Sequence, residues 1–180
     1  MQFIQWLFDL FKEPESQEDT HMELSRNFTL AEMLKSSTAI RLNIDNEPGE
    51  GEIDAMIALA ENVMQPVRDE FGSMRVNSGF RCLQLNRILN SRDTSQHVNG
   101  EAVDFEKIGV SNYELACWIR DNLDFDQLIL EFWYEEDDNE RNPLGDLNMG
   151  WVHVSYKDDG TNRNKVLTIN KNGTFYGLGY

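Results

Sequence analysis

Three stretches of this chain alternate polar and apolar residues with the two-residue period of a β-strand: 101–106, 126–134 and 150–157. Successive side chains of a strand point to opposite faces, so each stretch divides into two sets. Val103 and Phe105 oppose Ala102, Asp104 and Glu106; Leu128, Leu130 and Phe132 oppose Gln127, Ile129, Glu131 and Trp133; Val152, Val154 and Tyr156 oppose Trp151, His153 and Ser155. If the apolar sets all lie under one helical layer, Asp104, Glu131 and His153 converge on the other face. The segment 52–71 can supply that layer, because Ile53, Met56, Ile57, Ala60, Val63, Met64, Val67 and Phe71 recur at helical spacing, with a kink expected at Pro66.

The remaining elements follow from local signals. Thr29 with Glu32, and Ser111 with Glu114, have capping-box spacing and open helices to about Ser36 and Asn122. Ser37 to Gly51 reads as loop, Met74 to Asn77 as a short strand, and Cys82 to Leu89 as a helix. Two late strands, 165–170 and 174–178, flank the turn signal Asn172-Gly173. Helices first and strands later predict an α+β domain: an antiparallel sheet with helices packed on one face.

Charge narrows the partners. Asp and Glu number 32 against 16 Lys and Arg, for a formal charge of -16, and no local basic cluster stands out in the sequence, so nucleic acid is not an expected partner. No stretch reaches the roughly 18 apolar residues of a membrane span. Residues 1–12 are rich in Phe, Leu, Ile and Trp but lack the basic leader of a secretory signal. Phe3, Leu7, Leu10 and Phe11 would share one helical face, which suits packing on this domain or a neighbour, or contact with a membrane or a virion. The charged run from Glu13 to Thr20 reads as a linker, so 1–26 is expected to be an extension and 27–180 the domain. Cys82 and Cys117 are in no CxxC pair and are expected to be free thiols.

The polar loop before the first alternating strand brings in the chemistry. His97 lies seven residues before Asp104, with Gly100 permitting the turn between them. With His153 from a neighbouring strand, the set becomes two imidazoles and one carboxylate. Zinc accepts that combination, and three protein ligands leave a fourth position open, as in catalytic sites. His21, the third histidine of the chain, has no comparable partners.

Ser78-Gly79-Phe80-Arg81, Leu85-Asn86, and Ser95-Gln96-His97 followed by Gly100, Ala102 and Asp104 resemble the SGxR…LN…SxHxxGxAxD signature of the M15 metallopeptidases. Trp151-Val152-His153-Val154-Ser155 resembles the strand that carries that family's third zinc ligand. Phe28-Thr29-Leu30, Glu32-Met33-Leu34, Ser37, Thr38-Ala39 and Asn46-Glu47-Pro48 are similar to its phage-type branch. The resemblance runs from about Asn27 to Tyr156.

It implies a fold shared with the Hedgehog signalling domain and the D-alanyl-D-alanine dipeptidases. It also implies a zinc peptidase that cuts peptidoglycan stem peptides, as a D,D-carboxypeptidase or as an L-alanyl-D-glutamate endopeptidase. The source so implied is a phage, with the protein made in the host cytoplasm and acting on the wall, or carried on the virion. Arg81 would bind a substrate carboxylate or polarise the scissile carbonyl, a task suited to a planar, always-charged fork. Its other reading is an ion pair within an acidic chain. Ser95, Gln96 and Trp151 would line the substrate site. Some relatives in this family place the general base three residues before the last ligand, where this chain has Gly150. Alternation offers Glu131 instead, either as that base or as a partner of a ligand histidine. The loss at Gly150 also leaves open an M15-fold module that binds the wall or builds a virion without turnover.

Overall fold

The computed structural model of the chain describes residues 22–134, 146 and 148–179. The expectations for residues 1–21 fall outside these residues. Strands β1 (Glu23–Ser25) and β2 (Phe28–Thr29) pair as a small antiparallel sheet. Leu24 and Phe28 enter the main core with 2% and 1% of their surface exposed, so packing begins upstream of Asn27.

Thr29 then caps α1 (Leu30–Leu34): the Glu32 backbone N–H donates to its hydroxyl, and the Glu32 carboxylate accepts from the Thr29 N–H at 2.9 Å. Where a loop is expected after Ser36, the chain forms α2 (Ser37–Leu42), capped by the Ser36 hydroxyl and closed by Asn43 in the left-handed region. Its apolar residues Ile40 and Leu42 face outward, so no amphipathic rhythm marks this helix.

The long helical run consists of α3 (Glu50–Leu59), a π-helical turn (Ala60–Met64) and α4 (Gln65–Phe71). Pro66 sits in the first turn of α4, and the wider turn just before it loosens the ladder that its missing N–H and bulky ring would disrupt. Next come β3 (Arg75–Ser78), α5 (Leu83–Ile88), a 3-10 turn (Gln96–Asn99), β4 (Ala102–Glu106) and α6 (Asn112–Asn122). The chain finishes with β5 (Gln127–Glu131), β6 (Trp151–Ser155), β7 (Lys165–Asn170) and β8 (Gly173–Tyr176).

The main sheet has the order β3-β4-β6-β5-β7-β8. It is mixed, which corrects the expected all-antiparallel sheet: β5 and β7 pair parallel, and the other neighbours pair antiparallel. The physical reason is edge availability. The chain reverses after β6, as in a hairpin, but both edges of β6 are already taken by β4 and β5. Strand β7 therefore docks on the free edge of β5 and runs parallel to it.

Register divides the faces as alternation predicts. Val103 lies opposite Val154, Phe105 opposite Val152, and Leu128 and Leu130 opposite Val154 and Val152; all six are fully buried. They meet Met56, Leu59, Val63, Met64 and Val67 of the long helical run and Leu115 and Ile119 of α6 in one core. Each such side chain contributes about 1.5–3 kcal/mol on removal from water, before the entropy of ordering it is counted. Among the described residues no helix is long and apolar enough to cross a membrane.

Candidate metal centre and active site

The opposite face of the sheet carries the polar set. Asp104 of β4 lies directly across from His153 of β6, and His153 lies across from Ile129 of β5. The 3-10 turn brings His97 to the same place. Gly100 ends that turn at φ +72°, where an added Cβ would stand 2.3 Å from the Glu52 carbonyl oxygen, so this corner is reserved for glycine.

One potential ligand atom from each of His97, Asp104 and His153 lies within 4.8 Å of the other two, and all three residues are buried. Asp104 Oδ1 stands 3.3 Å from His97 Nε2 and 2.8 Å from His153 Nδ1. Tetrahedral coordination with bonds of roughly 2.1 Å separates neighbouring donor atoms by about 3.4 Å, close to the 3.3 Å between Asp104 Oδ1 and His97 Nε2.

The chemistry of the donors points the same way. Burial pushes the His97 pKa down, against the pull of Asp104, which favours the neutral ring that a metal ligand requires. Its Nδ1–H donates to the Gly79 carbonyl at 2.7 Å, which turns the Nε2 lone pair toward an anionic oxygen. Two acceptors facing each other at that distance repel unless a cation lies between them. The residues therefore fit a divalent metal.

Asp104 is ionised. Burial alone would raise its carboxyl pKa, but its hydrogen bonds and charged neighbours outweigh that and hold it well below the usual carboxylate range. Its second oxygen accepts from the Arg81 guanidinium at 2.6 Å, and Arg81 Nε donates to Ser78 Oγ at 2.8 Å. Arg81 thus acts first as the clamp on Asp104, the ion-pair reading of this residue. It also lines the cleft of about 460 Å³ that contains His97, Asp104, Glu131 and His153.

Glu131 closes β5 opposite Trp151. Burial raises its pKa, partly offset by His153 and Arg81. Gly150 explains the missing glutamate: at φ +74°, an added Cβ there would lie 1.8 Å from the Glu131 carbonyl oxygen. No side chain fits at position 150 because the backbone of Glu131 occupies the space. The Asn112 amide fastens this junction, donating to the Gly150 carbonyl at 3.1 Å.

The structure corrects one pair of facings. Phe132, expected on the core face, adopts φ +53° and is 41% exposed, while Trp133, expected on the site face, is 9% exposed within the core. A single left-handed residue after β5 exchanges the two rings. Phe132 then lies against Trp151, with centroids 5.2 Å apart, and both line the cleft. Trp133 stacks on Tyr113.

Ser95 also lines the cleft. Gln96 reaches away to the fully buried Asp126, donating to Oδ2 at 3.0 Å. Asp126, which no sequence motif marks, receives Arg163 through Nε at 2.7 Å and through Nη2. It thereby braces the turn that carries His97. Cys82 and Cys117 are free and half-buried.

The family described as Peptidase M15 matches residues 26–133, more than half of the chain. The chain belongs to the M15 peptidase family. The match contains His97, Asp104, Arg81 and Glu131, while His153 lies beyond it on the strand paired to Asp104. M15 peptidases are metallopeptidases, and the buried group of two histidines and an aspartate is the place in this member where a metal could be held. A comparison with curated proteins found no match.

Proposed function

We propose that this M15 peptidase is a zinc enzyme that hydrolyses peptidoglycan stem peptides, as a D,D-carboxypeptidase or an L-alanyl-D-glutamate endopeptidase, and that it serves phage lysis of the cell wall. The observation that carries the reading is the convergence of His97 Nε2, Asp104 Oδ1 and His153 Nδ1 beside Glu131 and Arg81 in one open cleft. The peptidoglycan substrate and the phage setting rest on the motif resemblance, as does kinship with the Hedgehog and D-alanyl-D-alanine peptidase fold.

His97, Asp104 and His153 would hold the zinc, which supplies a Lewis acid for the scissile carbonyl and lowers the pKa of water. The Gly79 carbonyl fixes the His97 tautomer, and Arg81 fixes the orientation and charge of Asp104. Glu131 takes the proton of the attacking water and returns it to the leaving amine. Its half-buried setting, which raises its pKa, suits a group that must do both near neutral pH. Arg81 Nη1 is the guanidinium nitrogen left for a substrate carbonyl or carboxylate once Nε and Nη2 are engaged. Phe132 and Trp151 wall the cleft, pack against the peptide and exclude water; Ser95 and Gln96 lie on the loop beside it.

Gly150 does not argue for a module without turnover, since the strand junction excludes any side chain there and Glu131 lines the cleft. The test is mass-spectrometric identification of products from purified peptidoglycan, with and without chelator. New termini at one stem-peptide bond, lost on chelation and restored by zinc, are expected. Metal bound, wall fragments retained and no new termini would overturn the proposal.

A further inference from the structure

A second hollow, of about 590 Å³, opens beside the metal cleft and shares Ser91, Ser95 and His153 with it. Its walls carry Arg92, Lys157 and Arg163 against a single acid, Glu101. With the Asp126 carboxylate behind Arg163 counted, three cations meet two acids, which still reverses the balance of a chain with 32 acidic and 16 basic residues. Sequence did not mark this patch, because the three residues come from separated loops.

Two details make the hollow a built receptor for negative charge. Arg163 is clamped through Nε and Nη2 by Asp126, a fully buried carboxylate, which fixes its plane while about half of its side chain stays exposed. Among the described residues no side chain accepts from Arg163 Nη1. The acid in the wall is already engaged: Glu101 Oε2 accepts from the amides of Gln96 and Asn99, each at 3.4 Å. Arg92 and Lys157 then leave the hollow with a net positive field, in a place where the rest of the surface repels anions.

Resting on the peptidase reading above, we infer that this hollow is the subsite for a carboxylate of the peptide substrate, bound away from the scissile bond by Arg92, Lys157 and Arg163. Lys157 lies beyond the end of the strand that carries His153, and the hollow adjoins the metal cleft without including Asp104 or Glu131, so the carboxylate belongs to a residue outside the scissile pair. Arg81 lines the metal cleft and not this hollow, so the Nη1 it leaves free serves the scissile end of the substrate and is not the group that selects this carboxylate.

The experiment uses two soluble stem peptides that differ only by conversion of one carboxyl to carboxamide, prepared for each carboxyl in turn. Cleavage is followed as kcat/KM, and binding is measured separately by titration. For one position the wild-type protein is expected to favour the carboxylate by about tenfold, mainly in KM, and less at high salt. The R92Q/K157Q double variant is expected to bring that ratio close to one, and R92E/K157E to invert it. Equal handling of both peptides by the wild type at every position, or a preference that survives in R92Q/K157Q, would overturn the inference. If no stem peptide is cleaved, the function proposed above fails. The inference still stands if titration shows the same carboxylate preference, and falls if it shows none.

Discussion

Two buried aspartates support the site, and each is held by an arginine. Asp126 is surrounded by donors alone: two guanidinium nitrogens of Arg163 and the amide of Gln96. Its charge is balanced and its oxygens are satisfied, so it is a finished brace. Asp104 has the Arg81 guanidinium on one oxygen, but its other oxygen faces two imidazole nitrogens, one of which carries a lone pair. That set needs a proton or a metal ion between the facing acceptors. The difference teaches that burial and an arginine partner do not mark a functional carboxylate; what marks it is the presence of neighbours that cannot all donate.

The sharpest way to break this comparison is to neutralise each aspartate. D104N is expected to abolish hydrolysis, with at least a thousandfold loss, and to drop bound zinc from one equivalent toward none by elemental analysis. D126N is expected to keep the metal. Equal metal content in the two variants would erase the distinction drawn here.

Next in size is E131Q, which leaves the three donors in place. It is expected to retain zinc while kcat falls about 10²- to 10⁴-fold, the range for loss of a general base. If E131Q lost metal along with activity, Glu131 would belong with the ligands. R81K sharpens the comparison further, since lysine keeps the charge on Asp104 but loses the fork. Metal affinity is expected to fall about 10- to 100-fold in a chelator competition, with the fold intact by circular dichroism.

The smallest effect falls on D126N, and it concerns stability. Burial works to raise the Asp126 pKa, but the Arg163 and Gln96 hydrogen bonds outweigh it and hold it below the usual value. A depressed folded-state pKa means stability that is present above the unfolded value, near 3.9, and lost as pH falls through the folded one. D126N is expected to cost about 2 kcal/mol near neutral pH and to flatten the acid side of the stability curve in urea melts. A wild-type and a D126N curve running parallel from pH 6 to pH 3 would contradict that role for Asp126.

Sequence by itself determined which residues share a face. The two-residue period of 101–106 and 150–157 placed Asp104 and His153 together and put Val103, Phe105, Val152 and Val154 in the core, because alternation is a property of the strand alone. The capping residues Thr29 and Ser111 marked their helices for the same reason: the bonds they make are three residues long. Only the tertiary structure decided who neighbours whom. It placed β7 on the free edge of β5, exchanged Phe132 and Trp133 through one left-handed residue, reserved position 150 for glycine, and brought Arg92, Lys157 and Arg163 to one hollow. These depend on edges, space and charges contributed by distant segments, and no local pattern in the chain encodes a neighbour that arrives only on folding.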